Sequence, residues 1–250
     1  LKYFAYFIGV GGDEGKSVLF KLLKLLMPQS IHFFGQRDLV SAKWLNDTGL
    51  TPQVAKLRAK RLSVLPETTD DQRLDTGLFK SLTGTDDITG RDIRSSSVTF
   101  RSTHLLCGYG NQEIQIIDAD DATWKRVLRF ECPNVVPEEQ RIQDYESVLA
   151  RDEGAAIVAY LLTRVRERGS KVEVPEGVRK RTESYRQAQE WWPNFIGENL
   201  QDSTPEEFVT AADLHGRVLE YYRDRFDRPC PLASMRQLTH YARDRGMQIG

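Results

Sequence analysis

The sequence predicts an α/β fold: a largely parallel sheet with helices on both faces, followed by a helical region and a small winged-helix-like module. Three observations predict it. Apolar runs of strand length alternate with stretches of helical periodicity over the first ~130 residues. Beyond Pro133 the strands give way to helical stretches, each opened by a proline. A polar break at 201–207, "QDSTPEE", sets off a last segment. The expected boundaries are therefore 1–133, 134–200 and 201–250.

The opening run "KYFAYFIGV" is aromatic and aliphatic almost throughout, as a strand buried on both faces reads. In "KSVLFKLLKLLMP", Val18, Leu19, Leu22, Leu23, Leu25 and Leu26 form an apolar stripe at helical spacing, and Pro28 ends it. A short strand "IHFFG", a helix over 37–49 and a helical turn or two in "TPQVAKLRAK" follow. The apolar strand at 62–65 runs straight into an acid, Glu67. A helix in "LDTGLFKSLTGTD" is closed by Gly84, a hairpin spans 88–101, and an apolar strand at 103–108 ends in "GYGN". "ADDATWKRVLRFEC" supplies a short helix and a strand. Helices are expected over 137–169 and 175–200, and the tail reads as a strand plus two helices.

Composition narrows the classes. Forty percent hydrophobic and 28% charged residues are ordinary for a globular protein, and no apolar run approaches the ~20 residues of a membrane span. The first stretch begins in a strand without Met, which suggests a piece of a longer protein. Cys107, Cys132 and Cys230 form no C-x-x-C pair, and the four histidines have no ligand spacing. A disulfide framework, a zinc site and a membrane partner are not expected. The net charge of −1 advertises no global nucleic-acid field, although basic clusters stand at 56–61, 91–101, 164–171 and 179–181.

Chemistry concentrates in "GVGGDEGKS", residues 9–17. A phosphate-wrapping loop has the pattern G-x-x-x-x-G-K-[ST] between a strand and a helix. Both flanks are right, but the first glycine is due at position 10, where Val10 stands, and Gly9 is one residue early. Gly9, Gly11, Gly12, Asp13, Glu14 and Gly15 would offer backbone N–H groups to an anion at the positive end of the following helix. Lys16 would face solvent until it met the outer phosphates, and Ser17 would hold a magnesium ion. The plainer alternative is a glycine turn before an ordinary core helix.

Hydrolysis needs an acid at the end of a neighbouring strand. Glu67 is that acid; Pro66 takes the place where a first acid often stands, so Glu67 serves as base and, with Ser17, as the expected metal site. Asn111 is the candidate γ-phosphate sensor, and Arg126 in "WKR" the candidate arginine completing a neighbour's site. If Arg126 has no such role, it would pair with Asp120 or Asp121.

The block "RLSVLPETTDDQRLDTGLFKSLTGTDDITGRDI" resembles the superfamily 3 helicases of the phage, plasmid and poxvirus primase–helicase type. Glu67, Thr68, Lys80, Leu82, Thr83, Gly84, Asp86, Thr89 and Arg91 fall on the family pattern, and Phe100, Asn111, Asp120, Trp124 and Arg126 continue it. The likeness spans residues 5–132 closely and the tail loosely. It departs at the extra loop residue, at Lys125, where a second arginine is usual, and at Ile114, where a proline usually follows the sensor. The resemblance implies a P-loop NTPase core of AAA+-like type, with ATP and magnesium, and self-association into a hexameric ring. It also implies single-stranded DNA threaded past Lys80, Arg91, Arg94 and Arg101, and a primase domain fused or associated. The expected setting is the cytoplasm of a bacterial host, on phage or mobile-element DNA. The alternative is a nucleotide-gated initiator that binds DNA with little motor activity.

Overall fold

The computed structural model describes residues 2–35, 52–67, 74–91, 96–116, 119–169, 172–200, 209–226, 230, 232, 234–243 and 247. The helix expected over 37–49 and the residues Thr68 and Arg94 lie outside that set. By its contacts the chain divides into two compact units, Leu1–Gln189 and Glu190–Gly250.

The first unit is built on a parallel sheet. Its strands are β1 (Phe4–Gly9), β2 (Ile31–Phe33), β3 (Leu62–Leu65), β6 (Leu105–Gly110) and β7 (Val127–Cys132), in the order β2-β3-β6-β1-β7. Between β3 and β6 the chain makes a separate antiparallel hairpin, β4 (Asp87–Arg91) and β5 (Ser97–Arg101). The sheet is parallel because its strands are linked by crossovers, among them α1 (Lys16–Leu26), α2 (Pro52–Ala55), α3 (Thr76–Leu82) and α4 (Asp121–Trp124).

Both faces are covered, which is why β1 carries no polar alternation. Phe4, Tyr6 and Ile8 point to one face and pack with Phe79 and Leu82 of α3, Trp124 of α4, and Tyr185. Ala5 points to the other, with Phe20 of α1, Val64, Cys107 and Tyr109. Of the apolar side chains of α1 only part is spent on the sheet: Phe20 and Leu23 pack against it, while Leu19 and Leu25 are 43% and 49% exposed.

Past β7 come α5 (Tyr145–Asp152), α6 (Gly154–Arg168) and α7 (Glu176–Gln189). β7 is an edge strand, and α7 covers it: the Arg129 N–H donates to Thr182 Oγ1 at 2.9 Å, satisfying a group the sheet leaves open. The second unit contains α8 (Trp191–Asn199), α9 (Ala211–Phe226) and α10 (Met235–Arg243). Trp191 meets Tyr222 edge-on at 5.1 Å and stacks on Tyr241 at 5.8 Å, giving this unit an aromatic core. The two tail helices stand where periodicity puts them; no strand accompanies them among the described residues of this unit.

Candidate functional site

The sheet order fixes where a ligand would sit. From β1 the chain leaves toward β2 on one side, and it returns at β7 on the other. Such a divergence opens a crevice at the carboxyl ends of the strands. Three of these ends carry the chemistry: Gly9 of β1 leads into the glycine loop, β3 into Glu67 and β6 into Asn111.

The loop folds around an anion, and the anion is its own. Glu14 Oε1 accepts from three successive backbone N–H groups, those of Val10, Gly11 and Gly12, at 2.7, 2.9 and 3.1 Å. Its Oε2 accepts from the Lys16 ammonium, which also donates to Asn111 Oδ1 at 2.9 Å. Burial alone would raise the Glu14 carboxyl; Lys16 and the backbone donors outweigh it and hold the group at about 2. The expectation of a solvent-facing Lys16 is therefore corrected. Lys16 is 8% exposed, because Glu14 and Asn111 together offer the buried ammonium acceptors that replace its water.

The same pair accounts for Gly9. A Cβ there would lie 2.0 Å from Lys16 Nζ and 2.5 Å from the Glu14 carboxyl, so a side chain at this position would push the ion pair aside. Gly12 and Gly15 adopt positive φ, 102° and 79°, as the turn requires, and Gly15 begins α1 without a side-chain cap. The first N–H groups of α1 thus remain open toward the crevice.

The crevice is a cavity of about 590 Å³ that brings Glu14, Lys16, Ser17, Glu67 and Asn111 together. Glu67 has φ 35°, uncommon for a residue with a side chain, directly after Pro66. Burial raises the neighbouring Tyr109 hydroxyl, and the Glu67 charge raises it further. Among the described residues no three His, Cys, Asp or Glu side chains cluster to hold a metal. Ser17 and Glu67 still fit magnesium, which keeps several waters and is commonly held by one or two protein oxygens plus phosphate.

The opposite wall comes from residues the sequence did not single out. Val136, Ile142, Tyr145 and Leu149, with Leu19 and Leu22, give the cavity an apolar side. The Val136 N–H donates to the Asp13 carbonyl at 3.0 Å, and Arg141 meets the Asp13 carboxylate at 3.0 Å, clipping this segment onto the loop. No spacing rule links residues 136–149 to a loop at 10–15. In the sequence, apolar Val135, Val136 and Ile142 interrupt the otherwise polar "NVVPEEQRI" stretch.

Other candidates lie elsewhere. Arg126 immediately precedes β7, and its carbonyl accepts from the Phe4 N–H, whereas Gly9 is level with Cys132. Six residue steps of strand, about 20 Å, thus separate its backbone from the loop end of the sheet. Its guanidinium donates to the Lys80 carbonyl at 2.8 Å and to Thr83 Oγ1 at 3.0 Å. The expected pairing with Asp120 or Asp121 is corrected: Asp120 meets Lys80 at 2.7 Å and Asp121 meets Arg186 at 2.6 Å. Asp120 Oδ2 accepts from Lys80 while its Oδ1 caps α4 through Thr123. Arg91 and Arg101 share the solvent-facing side of the hairpin with Thr89 and Thr99, and the other side buries Ile88. Lys80, on α3, is not part of that hairpin face.

No family model matches the chain. It is 26% identical to a helicase-named protein of Acanthamoeba polyphaga mimivirus over 96% of this chain and 27% of that protein. Against a primase-named protein of African swine fever virus it is 22% identical over 80% of the chain and 22% of that protein. A helicase-named protein of Frog virus 3 is 26% identical over 82% of the chain and 23% of that protein. The chain thus spans about a quarter of the length of these relatives. The apo structure of the NrS-1 C-terminal region, residues 305–718, superposes with a TM-score of 0.54 at 16% identity, covering 96% of this chain and 62% of that one. With the parallel sheet and its two helical layers, these likenesses make the chain similar to viral replication proteins of the helicase and primase kind.

Proposed function

We propose that this chain is the ATPase part of a replication helicase, similar to superfamily 3, that hydrolyses ATP between subunits of a ring and moves along single-stranded DNA. The observation carrying this reading is the cradle itself: three convergent N–H groups and a buried lysine around a carboxylate. These donors suit a phosphate oxygen equally well.

The roles then follow from position. The loop N–H groups and Lys16 bind the β- and γ-phosphates. Ser17 and Glu67 would hold magnesium, which would supply positive charge to offset that of the phosphates. Glu67 accepts the proton of the attacking water, and Asn111 reads the γ-phosphate. The base and sugar rest against the apolar wall of Val136, Ile142 and Tyr145. Arg126, at the far end of the sheet from its own loop, serves the site of a neighbour, which favours a shared site in a ring, taken here as a hexamer. Lys80, Arg91, Arg94 and Arg101 contact the phosphates of single-stranded DNA. The tail acts as a winged-helix-like module beside a fused or associated primase, in the cytoplasm of a bacterial host on phage or mobile-element DNA.

A second reading, a nucleotide-gated initiator with little turnover, draws support from Pro66 in the place of a first acid and from the carboxylate already held in the cradle. ATPase rate with and without single-stranded DNA, measured alongside mass in solution, decides between them. Stimulated turnover in a ring supports the motor; tight ATP binding without turnover supports the switch; no ATP binding overturns both.

A further inference from the structure

The loop is one residue longer than the phosphate-binding pattern, and the structure gives the added length a use. The Glu14 side chain turns back to take N–H groups two, three and four residues before it, and its side chain is fully buried. A second anion cannot share this place. The N–H groups each have one hydrogen to give, Lys16 is already engaged, and two negative charges at that separation repel. We propose that Glu14 is a resident competitor in the cradle, which a ligand must displace, so that only an anion with contacts beyond the cradle, a polyphosphate, binds appreciably.

The selectivity follows from what each ligand gains. Inorganic phosphate or a nucleoside monophosphate would replace one carboxylate with one phosphate and win few additional contacts. A triphosphate exchanges Glu14 for a phosphate and also reaches the open N–H groups at the start of α1, Ser17 and Asn111, all on the same cavity. Glu14 has room to leave. The cavity it lines extends to the apolar wall, and the Asp13 clip to Val136 and Arg141 holds the backbone beside it while the side chain swings. When the competent state is a minor fraction, the apparent affinity falls by that fraction. Removing the competitor should restore it.

This inference rests on the phosphate-cradle reading, and its test separates the two. The full chain, Glu14→Gln and Glu14→Ala are titrated calorimetrically with tripolyphosphate and with inorganic phosphate. Glu14→Gln keeps the shape and an acceptor but drops the charge, so it carries the test if Glu14→Ala fails to fold. Both variants should bind tripolyphosphate about tenfold more tightly or better, and only the variants should bind inorganic phosphate measurably. Tripolyphosphate affinity unchanged or weakened in the variants would overturn the competitor while leaving the cradle standing. Absence of tripolyphosphate binding in all three proteins would overturn the cradle and the competitor together.

Discussion

Replacing Lys16 with alanine gives the sharpest test of the buried pair. A lysine that faced solvent could be removed without cost to the fold. Here its side chain is 6% exposed and that of Glu14 0%, so Lys16→Ala strands a buried carboxylate and leaves Asn111 Oδ1 without the ammonium. Breaking a buried pair by removing one partner costs about 3–5 kcal/mol. Glu14 retains three backbone donors, which places the expected loss at the low end, about 3 kcal/mol. For a unit of this size, each kcal/mol shifts melting by roughly 2–4 °C, so Lys16→Ala should melt about 6–12 °C below the parent. Adding Glu14→Gln removes the stranded charge while an amide oxygen still accepts from the loop. The double variant should therefore recover at least half of the loss, a coupling that independent sites would not show. Ellipticity melts of the parent, both single variants and the double variant at neutral pH read this directly. A Lys16→Ala protein melting within a degree of the parent, or a double variant melting below it, would refute the pair. ATP binding should be lost in Lys16→Ala in either event.

Three further outcomes are expected. Glu67→Gln should keep ATP bound and stop hydrolysis, since an amide cannot take the proton of water; unchanged turnover would move the base elsewhere. Arg126→Ala should lose two hydrogen bonds to the end of α3 and a modest amount of stability. Its turnover should fall ~10³-fold or more, and mixing with Lys16→Ala subunits should restore some of it; no recovery when rings form would count against a shared site. Acid should weaken the fold in two stages. Burial holds His32 and His104 at about 4, below their ordinary 6.5, and at His32 the charges of Lys56, Lys60 and Lys24 add to it. Unfolding lets them take protons, so their contribution is complete above ~6.5 and is lost as pH falls through 4. Glu14, held at about 2, contributes above its ordinary 4.5 and is lost as pH falls through 2. Melting followed from pH 7 downward should show both slopes. His32→Phe should flatten the first and Glu14→Gln the second; identical slopes in the variants would contradict the assignment.

Much of this molecule was legible in the chain because the signals are local. Apolar runs bounded by glycine or proline became β1, β3 and β6, and the periodic stretches became α1, α3 and α7. The ends of β1, β3 and β6 marked the loop, Glu67 and Asn111 as candidates. A strand buried on both faces and a helix with one apolar face each declare themselves in the order of their own side chains. What tertiary structure decided is how distant residues share space. Spacing alone gave Gly9 as a defect, yet it is the gap through which Lys16 and Glu14 meet. Sequence put Lys16 in water, and the fold put it between Glu14 and Asn111, a partner 95 positions away. Arg126 was a candidate by its place in the order of motifs, but only the register of β7 on β1 puts it at the end of the sheet away from its own loop. The apolar wall at 136–149 left no trace in the motif at all, since among the described residues it is tied to the loop by a backbone N–H and an ion pair at Asp13. Periodicity records which face of an element is buried, whereas a site depends on which elements meet, and that is settled by the packing of the whole sheet.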